Sequence, residues 1–432
     1  MIDLKYIQSD IEPSALSEVL DEAQRCNQQL EDGTGLGADC LGWLRLPELT
    51  TQVELSQIAA LAHSLQAQSD TVVLVGIGGS YLGARAVIEA LGPSLPVCHG
   101  QRSVELLYAG HNLCDAYHAE LLELLDHRSY SLVVVSKSGA TLETAIAFRL
   151  LKQHLERQVG RHEAAMRMVV VTDAQQGPLR QLAAAKGYRT LPIAGNIGGR
   201  YSVLSPVGLL PIAVAGHDIA ALMEGARRAQ EHTSASTPAE QNPACLYAAA
   251  RNALYRNGKR VELLATFSPK LQMLGEWWRQ LFAESEGKGG RGILPMCASY
   301  TTDLHSIGQY VQQGERMLFE TFVSMGSAGS HLPVPSDSRD FDNINYLSNR
   351  QMSDINCMAM RGTIAAHQQG QVPCITIDLP ERSAPQLGYL LYTMERACAI
   401  SGYMLGVNPF DQPGVEDYKR NMQELLGSPC VL

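Results

Sequence analysis

A glycine-rich turn is the first segment whose residue types and spacing could do chemistry. Gly76-Ile77-Gly78-Gly79-Ser80 follows an apolar run and precedes a predicted helix. Glycines let backbone N–H groups approach an anion closely, and the helix N-terminus adds partial positive charge. The glycine spacing is not that of the Rossmann dinucleotide motif, and the segment lacks the P-loop lysine. The turn therefore predicts an anion site, with a glycine-rich turn that binds nothing as the alternative.

A second turn, Ser136-Lys137-Ser138-Gly139-Ala140-Thr141, also joins a predicted buried strand to a predicted helix. Its three hydroxyls and its backbone amides can cradle a phosphate, and open α/β sheets bind ligands at the ends of their strands. The alternative is that Thr141 only caps the next helix, with Glu143 in the first turn. Both can hold, because a helix cap is also an anion site. We predict phosphate binding here, since Gly79 and Ser80 follow a neighbouring strand.

A third segment, Gly195-Asn196-Ile197-Gly198-Gly199-Arg200-Tyr201-Ser202, places an arginine beside paired glycines. Such an arginine can be held tightly against a ligand and present a fixed cation to developing negative charge. The alternative is a surface turn whose arginine is solvated.

The elements that position these turns are short apolar runs alternating with helical stretches, a pattern typical of β-α units on a parallel sheet. Two of the runs are continuously apolar, as central strands buried on both faces should be. In the first half we predict strands at Thr71–Gly76, Val104–Tyr108, Tyr130–Ser136 and Met168–Thr172. The helices between them are predicted near Tyr81–Leu91, Asp115–Leu125 and Thr141–Val159.

A second set of elements follows the polar stretch Glu231–Asn242. Its predicted strands are Arg260–Phe267, Arg316–Val323 and Val372–Asp378. Its predicted helices are Pro243–Tyr255, Pro269–Glu284, Ser353–Gln368 and Ser383–Ser401, with a final helix at Gly414–Leu425. The Gly-, Ser- and Pro-rich stretch Met325–Arg350 is predicted to be a long loop.

The composition of the 432 residues is that of a globular enzyme, with 45% hydrophobic and 18% charged residues. A net charge of −10 argues against a large nucleic-acid-binding surface but allows a local anion pocket. The ten cysteines form no Cys-x-x-Cys pair, so we expect neither a metal site nor a disulfide framework. The acidic N-terminus is not typical of a signal peptide. We expect a soluble cytoplasmic protein without membrane contact.

Four motifs in this order resemble those of the glucose-6-phosphate isomerase family, in its compact bacterial form. They are Val-Gly-Ile-Gly-Gly-Ser at 75–80, Ser-Lys-Ser-Gly-Ala-Thr at 136–141, Gly-Gly-Arg-Tyr-Ser at 198–202 and Asn-Pro-Phe-Asp-Gln-Pro-Gly-Val-Glu-Asp-Tyr-Lys at 408–419. Together they span nearly the whole chain, and the last two are specific. The resemblance implies an α/β fold with two doubly wound parallel-sheet domains of the sugar-isomerase (SIS) type, each an α-β-α sandwich, and a helical C-terminal tail.

The resemblance also implies domain limits: a helical segment at 1–50, a first sugar-isomerase domain at 51–200, a second at 201–405 and a C-terminal arm at 406–432. It assigns the sugar phosphate to the first two turns, and Gln412 to the substrate as well. Carried over, the substrate-binding residues are Gly79, Ser80, Ser136, Lys137, Ser138, Thr141 and Gln412. Arg200 would stabilise an enediolate.

The resemblance assigns the catalytic base to Glu284 in the segment Phe282-Ala283-Glu284-Ser285-Glu286. Glu286, two positions on, is the alternative, since only one of the two carboxylates can easily face a sugar. The ring-opening histidine matches His305, and Lys419 would act with it. One base serving C1 and C2 through a cis-enediol requires no cofactor or metal.

The resemblance further implies a homodimer in which His305 reaches the neighbour's site. Three rival functions make different demands on the sequence. A non-catalytic sugar-phosphate sensor would not need Glu284, His305 and Lys419 together. An aminotransferring enzyme would need a glutamine-hydrolysing domain, and a nucleotide-dependent dehydrogenase is disfavoured by the spacing at Gly76–Ser80.

Overall fold

The computed structural model describes residues 2–3, 13–95, 104–326 and 331–427. The predicted loop Met325–Arg350 is described except for residues 327–330, and Cys430 lies outside the described residues. Within these ranges, no helix is both long and apolar enough to cross a membrane. No disulfide joins any of the eight cysteines that the structure describes.

The first sheet carries the two hydroxyl- and glycine-rich turns. Its five strands are β2 (Thr71–Val75), β3 (Glu105–Ala109), β4 (Tyr130–Val135), β5 (Met168–Asp173) and β6 (Arg189–Ile193). They are all parallel in the order β3-β2-β4-β5-β6. The strands β2 and β4 are buried throughout, as their apolar runs predict. Their carboxyl ends are neighbours, so the turns that follow them lie at one edge of the sheet.

The second sheet has the order β1-β10-β9-β7-β8. Its strands are β1 (Ile2–Asp3), β7 (Val261–Thr266), β8 (Leu294–Ser299), β9 (Leu318–Met325) and β10 (Cys374–Leu379). Only β1 is antiparallel among these described strands; the other neighbours pair in parallel. The predicted fold of two parallel α/β sheets is confirmed.

Three of the described strands were not predicted. The first, β1, has only two residues; the other two, β6 and β8, are both edge strands of their sheets. Each contains a proline, Pro192 or Pro295, and each is only partly buried. A strand paired on one side needs no continuous apolar run and tolerates a residue without an N–H, so neither segment carries a strong strand pattern.

The helices fill the remaining positions, and every predicted helix is found within three residues of its predicted limits. They are α1 (Pro13–Glu31), α2 (Leu46–Leu49), α3 (Gln52–Gln68), α4 (Leu82–Leu91), α5 (Asp115–Asp126), α6 (Leu142–Val159), α7 (Arg161–Met166), α8 (Pro178–Lys186), α9 (Pro206–Val214), α10 (Ile219–His232), α11 (Pro243–Arg256), α12 (Gln272–Glu286), α13 (Gly308–Gln313), α14 (Met352–Gln369), α15 (Ala384–Met404) and α16 (Glu416–Leu425).

One continuous apolar core joins the two sheets. It includes Val72 and Val133 from the first sheet and Phe319 and Ile375 from the second. The helix α15 crosses this core and is buried along most of its length, while α12 packs against α4 and against β8. Burial of this kind holds a helix in position. The C-terminal half of α12, from the second half of the chain, thereby lies against the turn Gly78–Ser80 of the first sheet.

Candidate active site

Arg200 organises the site. It lies in a 3₁₀ turn, Gly199–Tyr201, and is only 2% exposed. Its Nε donates to the Ser285 hydroxyl at 2.7 Å, and its Nη1 donates to Glu284 Oε1 at 3.0 Å and to Gln412 Oε1 at 3.1 Å. The predicted residues Arg200, Glu284 and Gln412 are thus brought together from three distant parts of the sequence.

The remaining guanidinium nitrogen of Arg200 is also engaged. Nη2 donates to the backbone carbonyls of Pro409 at 2.6 Å and Asp411 at 3.0 Å. A planar guanidinium that bonds in this forked manner is held in one orientation. The cation is therefore fixed before any ligand binds, which is what electrostatic preorganisation requires. The alternative of a solvated surface arginine is excluded.

Glu284 occupies the last turn of α12 and remains reachable. Its Oε1 accepts from Arg200, its Oε2 accepts from Gln280 Nε2 at 3.0 Å, and its side chain is 29% exposed. A carboxylate held at both oxygens yet open on one side can act on a bound molecule. Gln280 stands one helical turn before Glu284, so the two share a face of the helix.

Glu286 has a different environment and does not fit the role of base. Its carboxylate is 0% exposed and accepts from Arg251 through both oxygens. Arg251 is itself fully buried and also pairs with Glu262. The carboxylate of Glu286 therefore has no face to offer to a sugar, so of the two acids only Glu284 is in a position to act as the base.

The turn after β2 contacts the turn of Arg200 directly. Gly78–Ser80 forms a 3₁₀ turn, and a Cβ on residue 79 would lie 2.1 Å from the Gly199 carbonyl oxygen. That separation is far below any real contact, so this backbone approach requires glycine at position 79. The Ser80 N–H bonds to the Ile77 carbonyl at 3.1 Å, which shapes the turn.

The turn after β4 keeps its hydroxyls at the carboxyl edge of the sheet. The Ser136 hydroxyl accepts from the Gly139 N–H at 3.1 Å, and the Ser138 hydroxyl accepts from the Ala140 N–H at 3.2 Å. Thr141 occupies the N-cap position of α6, yet its hydroxyl makes no capping bond within the part of the chain that is described. The capping role is therefore not what this hydroxyl does here, and it stays open to a ligand.

Lys137 joins two turns of the site. Its Nζ donates to the carbonyls of Gly195 at 2.6 Å and Ile197 at 2.9 Å. The lysine thus ties the turn after β4 to the segment that carries Arg200. Its positive charge stays at the edge of the sheet, but two of its three donors are occupied by the protein.

His305 and Lys419 stand outside this group among the described residues. His305 is exposed in the 3₁₀ turn Thr302–His305, which follows the edge strand β8. Lys419 lies on α16, where its side chain is 43% exposed and pairs with Glu416 at 2.9 Å. In the part of the chain that the structure describes, neither side chain forms a hydrogen bond or ion pair with Glu284, Arg200 or Gln412, and their place in the site stays a prediction.

Several site residues were not predicted. Gln280 and Ser285 hold Glu284 and Arg200, and Lys288 binds the segment that carries Gln412. A signal for Gln280 existed in its spacing of four from Glu284, which places both on one helix face. Across the described ranges, no group of three His, Cys, Asp or Glu side chains could hold a metal ion.

The sequence of the chain is similar to those of known proteins. The model of the phosphoglucose isomerase family matches residues 61–428. The glucose-6-phosphate isomerase of Parabacteroides distasonis is 50% identical over 409 residues, which covers 94% of this chain and 92% of that protein. The glucose-6-phosphate isomerase of Leptospira biflexa is 47% identical over 424 residues, covering 98% and 94% respectively.

Solved structures agree on the fold. A hypothetical protein of Thermus thermophilus superposes with a TM-score of 0.89 at 29% identity, over 99% of this chain and 100% of that one. A glucose-6-phosphate isomerase of Chlamydia trachomatis superposes with a TM-score of 0.80 at 21% identity, over 96% of this chain and 86% of that one. With its full-length sequence match and its shared two-sheet architecture, this chain belongs to the phosphoglucose isomerase family.

Proposed function

We propose that this enzyme interconverts D-glucose 6-phosphate and D-fructose 6-phosphate, through ring opening and a cis-enediol intermediate, in glycolysis and gluconeogenesis. One observation carries the proposal: a reachable carboxylate, Glu284, lies 3.0 Å from a fully engaged guanidinium, Arg200. Moving a proton between adjacent carbons needs a base that can take and return it, and a cation that offsets the charge on the enediolate oxygens.

The base in this proposal is Glu284, which takes the proton from C2 of the open sugar and returns it to C1. A positioned base contributes about 10²–10⁴-fold to the rate. Gln280 holds Oε2 at 3.0 Å, leaving the carboxylate oriented through the transfer. Because one carboxylate serves both carbons in turn, the aldose and the ketose are reached from the same enediol.

The cation in this proposal is Arg200, which faces the charge that develops on O1 and O2. Its five bonds to protein acceptors fix its position before substrate binds. Because these bonds engage all five N–H donors, Arg200 acts on the enediolate through its fixed positive charge. A preorganised group of this kind stabilises a transition state more than a mobile one, and losing one costs roughly 2.7–4 kcal/mol.

The phosphate, in this proposal, binds at the edge of the first sheet. The contributing residues are Gly79, Ser80, Ser136, Lys137, Ser138 and Thr141. Supporting this, the turn Gly78–Ser80 touches the turn of Arg200, and the Thr141 hydroxyl makes no capping bond at the N-terminus of α6 within the described chain. The partial positive charge of that helix end favours a dianion.

Ring opening is assigned to His305 and Lys419, with His305 supplied by a second copy of the chain. The exposed position of His305 supports this, since it stands beside the exposed apolar side chains Ile307 and Tyr310. Lys419 follows Gln412 by seven residues, and its bond to Glu416 is a surface pair. A pair of that kind is worth about 0.2–1 kcal/mol, so the lysine can leave it for a ligand.

A homodimer and a cytoplasmic location complete the proposal. The free thiols of the described cysteines fit a reducing compartment.

The test of the reaction is a coupled assay that follows glucose 6-phosphate formed from fructose 6-phosphate, with a chelator present. We expect turnover that the chelator leaves unchanged. Binding of fructose 6-phosphate without turnover would indicate a sugar-phosphate sensor and contradict the proposal.

The test of the shared site mixes two inactive variants, Glu284→Gln and His305→Ala, after dissociation and reassembly. A mixed dimer has one site with both changes and one site with neither. If random pairing makes half of the dimers mixed, about a quarter of the wild-type activity should return. Mixing that restores nothing, although mixed dimers form, would contradict the contribution of His305 from the partner.

A further inference from the structure

Lys288 has every donor of its ammonium group engaged. The residue follows the C-terminus of α12, and its side chain is 12% exposed. Its Nζ donates to the Ser285 carbonyl at 3.0 Å and to the Asn408 carbonyl, and it pairs with Asp411 Oδ1 at 3.0 Å. An ammonium group has three donors, so this set is complete.

Lys288 and Arg200 both bond to acceptors in one short segment, residues 408–412. Lys288 binds the carbonyl of residue 408 and the carboxylate of Asp411. Arg200 binds the carbonyls of residues 409 and 411 and the side chain of Gln412. Two cations therefore bind the same short segment, and both also bind α12 at Ser285.

We infer that Lys288 is a positioning residue for the isomerisation: it holds segment 408–412 against the end of α12, and so keeps Gln412 and Arg200 in place beside Glu284. This inference rests on the proposed function. Lys288 acts through Arg200, since its own donors are all taken up by protein acceptors.

Segment 408–412 is also held by an apolar contact that does not involve Lys288. The segment can therefore stay folded when the bonds of Lys288 are lost. Phe410 is buried, and its ring packs edge-on against Tyr201 with centroids 5.2 Å apart and against Tyr403 at 6.3 Å. Replacing Lys288 by methionine keeps most of the apolar stem and leaves these contacts intact. We therefore expect the variant to fold with the segment anchored at Phe410 but free to shift at its ends.

The electrostatic environment is consistent with a function beyond packing. Burial lowers the pKa of Lys288, the hydrogen bond to Asp411 opposes this, and the nearby Arg200 lowers it further. Two cations near one segment are unfavourable to each other, and an apolar side chain would avoid that cost. A lysine kept there supplies directional bonds that an apolar side chain cannot.

The experiment compares three variants, Lys288→Met, Asp411→Asn and the double variant, with a matched control. The control is Lys270→Met, because Lys270 Nζ also donates to a backbone carbonyl, that of Gly92, but at the other end of α12. The measurements are kcat and KM for fructose 6-phosphate and hydrogen exchange of the amides of residues 405–415.

We expect Lys288→Met to lower kcat by roughly 10- to 100-fold, since a shift of about 1 Å in a site can cost 10²-fold, while KM changes little. Exchange should accelerate in residues 405–415 and stay unchanged in the two sheets. The double variant should lose little more than Lys288→Met alone, because the two residues act as one unit. Lys270→Met should keep its kcat.

An unchanged kcat in Lys288→Met, beside an active wild type in the same assay, would overturn the inference and leave the proposed function standing. Faster exchange spread over both sheets would overturn it too, because the lysine would then serve overall stability. A wild type that binds fructose 6-phosphate without converting it would instead remove the proposed function.

Discussion

Glu284 and Glu286 stand two residues apart in the last turn of α12, and each carboxylate meets a different arginine. Glu284 accepts from Arg200 and stays reachable, whereas Glu286 accepts from Arg251 and is fully buried. Helix geometry separates side chains two positions apart, so one acid is free to act on a ligand while the other fixes the end of the helix.

The first prediction concerns the reachable acid. Glu284→Gln should stop the exchange of the C2 proton of the sugar with solvent and lower kcat by about 10²–10⁴-fold, because an amide cannot accept the proton. Binding of the sugar phosphate should persist in a calorimetric titration. Glu276→Gln, the same change at another position on the same helix, where the carboxylate pairs with Arg279, should keep normal kcat. Near-normal turnover in Glu284→Gln would show the base assignment to be wrong.

The second prediction concerns the buried acid. Glu286→Gln removes one charge from a fully buried cluster in which Arg251 still pairs with Glu262. Removing one partner of a buried pair costs roughly 3–5 kcal/mol of unfolding free energy, and we expect the lower end because Glu262 remains. The measurement is a denaturant midpoint, with activity assayed on the folded variant. Full stability together with loss of proton exchange would reverse the two roles.

The third prediction concerns the cation. Arg200→Ala should lower kcat far more than it raises KM, by an amount equivalent to roughly 2.7–4 kcal/mol of transition-state stabilisation. The carbonyls of Pro409 and Asp411 lose their donor in this variant, so its melting temperature should also fall. Arg200→Lys keeps the positive charge but loses the planar, forked hydrogen-bonding geometry of the guanidinium, so it should recover little of the activity. Steady-state kinetics of the two variants are the measurement, and full recovery by lysine would contradict the argument.

The fourth prediction concerns the turn after β4, which we propose binds the phosphate of the substrate. Ser138→Ala should raise KM and leave kcat largely intact, because a binding contact made equally in ground and transition states affects KM alone. The matched control is Ser129→Ala, at the amino end of β4, where the hydroxyl donates to the Gln68 carbonyl. A lowered kcat with unchanged KM in Ser138→Ala would place this serine in the chemistry instead.

The fifth prediction concerns an acid remote from these turns. Glu395 is buried in α15, its Oε1 is without a hydrogen-bond partner among the described residues, and burial raises its pKa well above the usual value. When the pKa of a carboxyl is higher in the folded than in the unfolded chain, the free energy of unfolding falls as the pH rises above the unfolded-state pKa. The fall is up to about 1.4 kcal/mol per pH unit. Glu395→Gln has no such loss.

The stability gain of Glu395→Gln over the wild type should therefore grow from pH 5 to pH 8. Melting temperatures at several pH values are the measurement. A gain that is constant with pH would mean that the carboxyl has the same pKa in the folded and unfolded chains.

The sequence could predict the central strands, because β2 and β4 are buried on both faces and their apolar runs are continuous. It could not predict β6 and β8, because an edge strand is half exposed and its pattern is weak. The domain limits drawn from the family resemblance stay a prediction.

Within the site, the glycine–arginine motif pointed to Arg200 and the family resemblance pointed to Glu284 and Gln412, and the fold brings these three together. Ser285 and Lys288 were not predicted, because their contacts are with residues distant in sequence and leave no trace in local spacing. Ser285 accepts from Arg200, and Lys288 donates to the Asn408 carbonyl. His305 and Lys419 also rest on the resemblance, and their part in the site stays a prediction.

The contact of Gly79 with the Gly199 carbonyl has a further consequence. Where two loops meet through side chains, changing a rotamer can widen or narrow the gap between them. Here main chain packs against main chain, so the spacing between the turn Gly78–Ser80 and the turn of Arg200 is set by the backbone itself. Neighbouring side chains can therefore vary without altering that spacing.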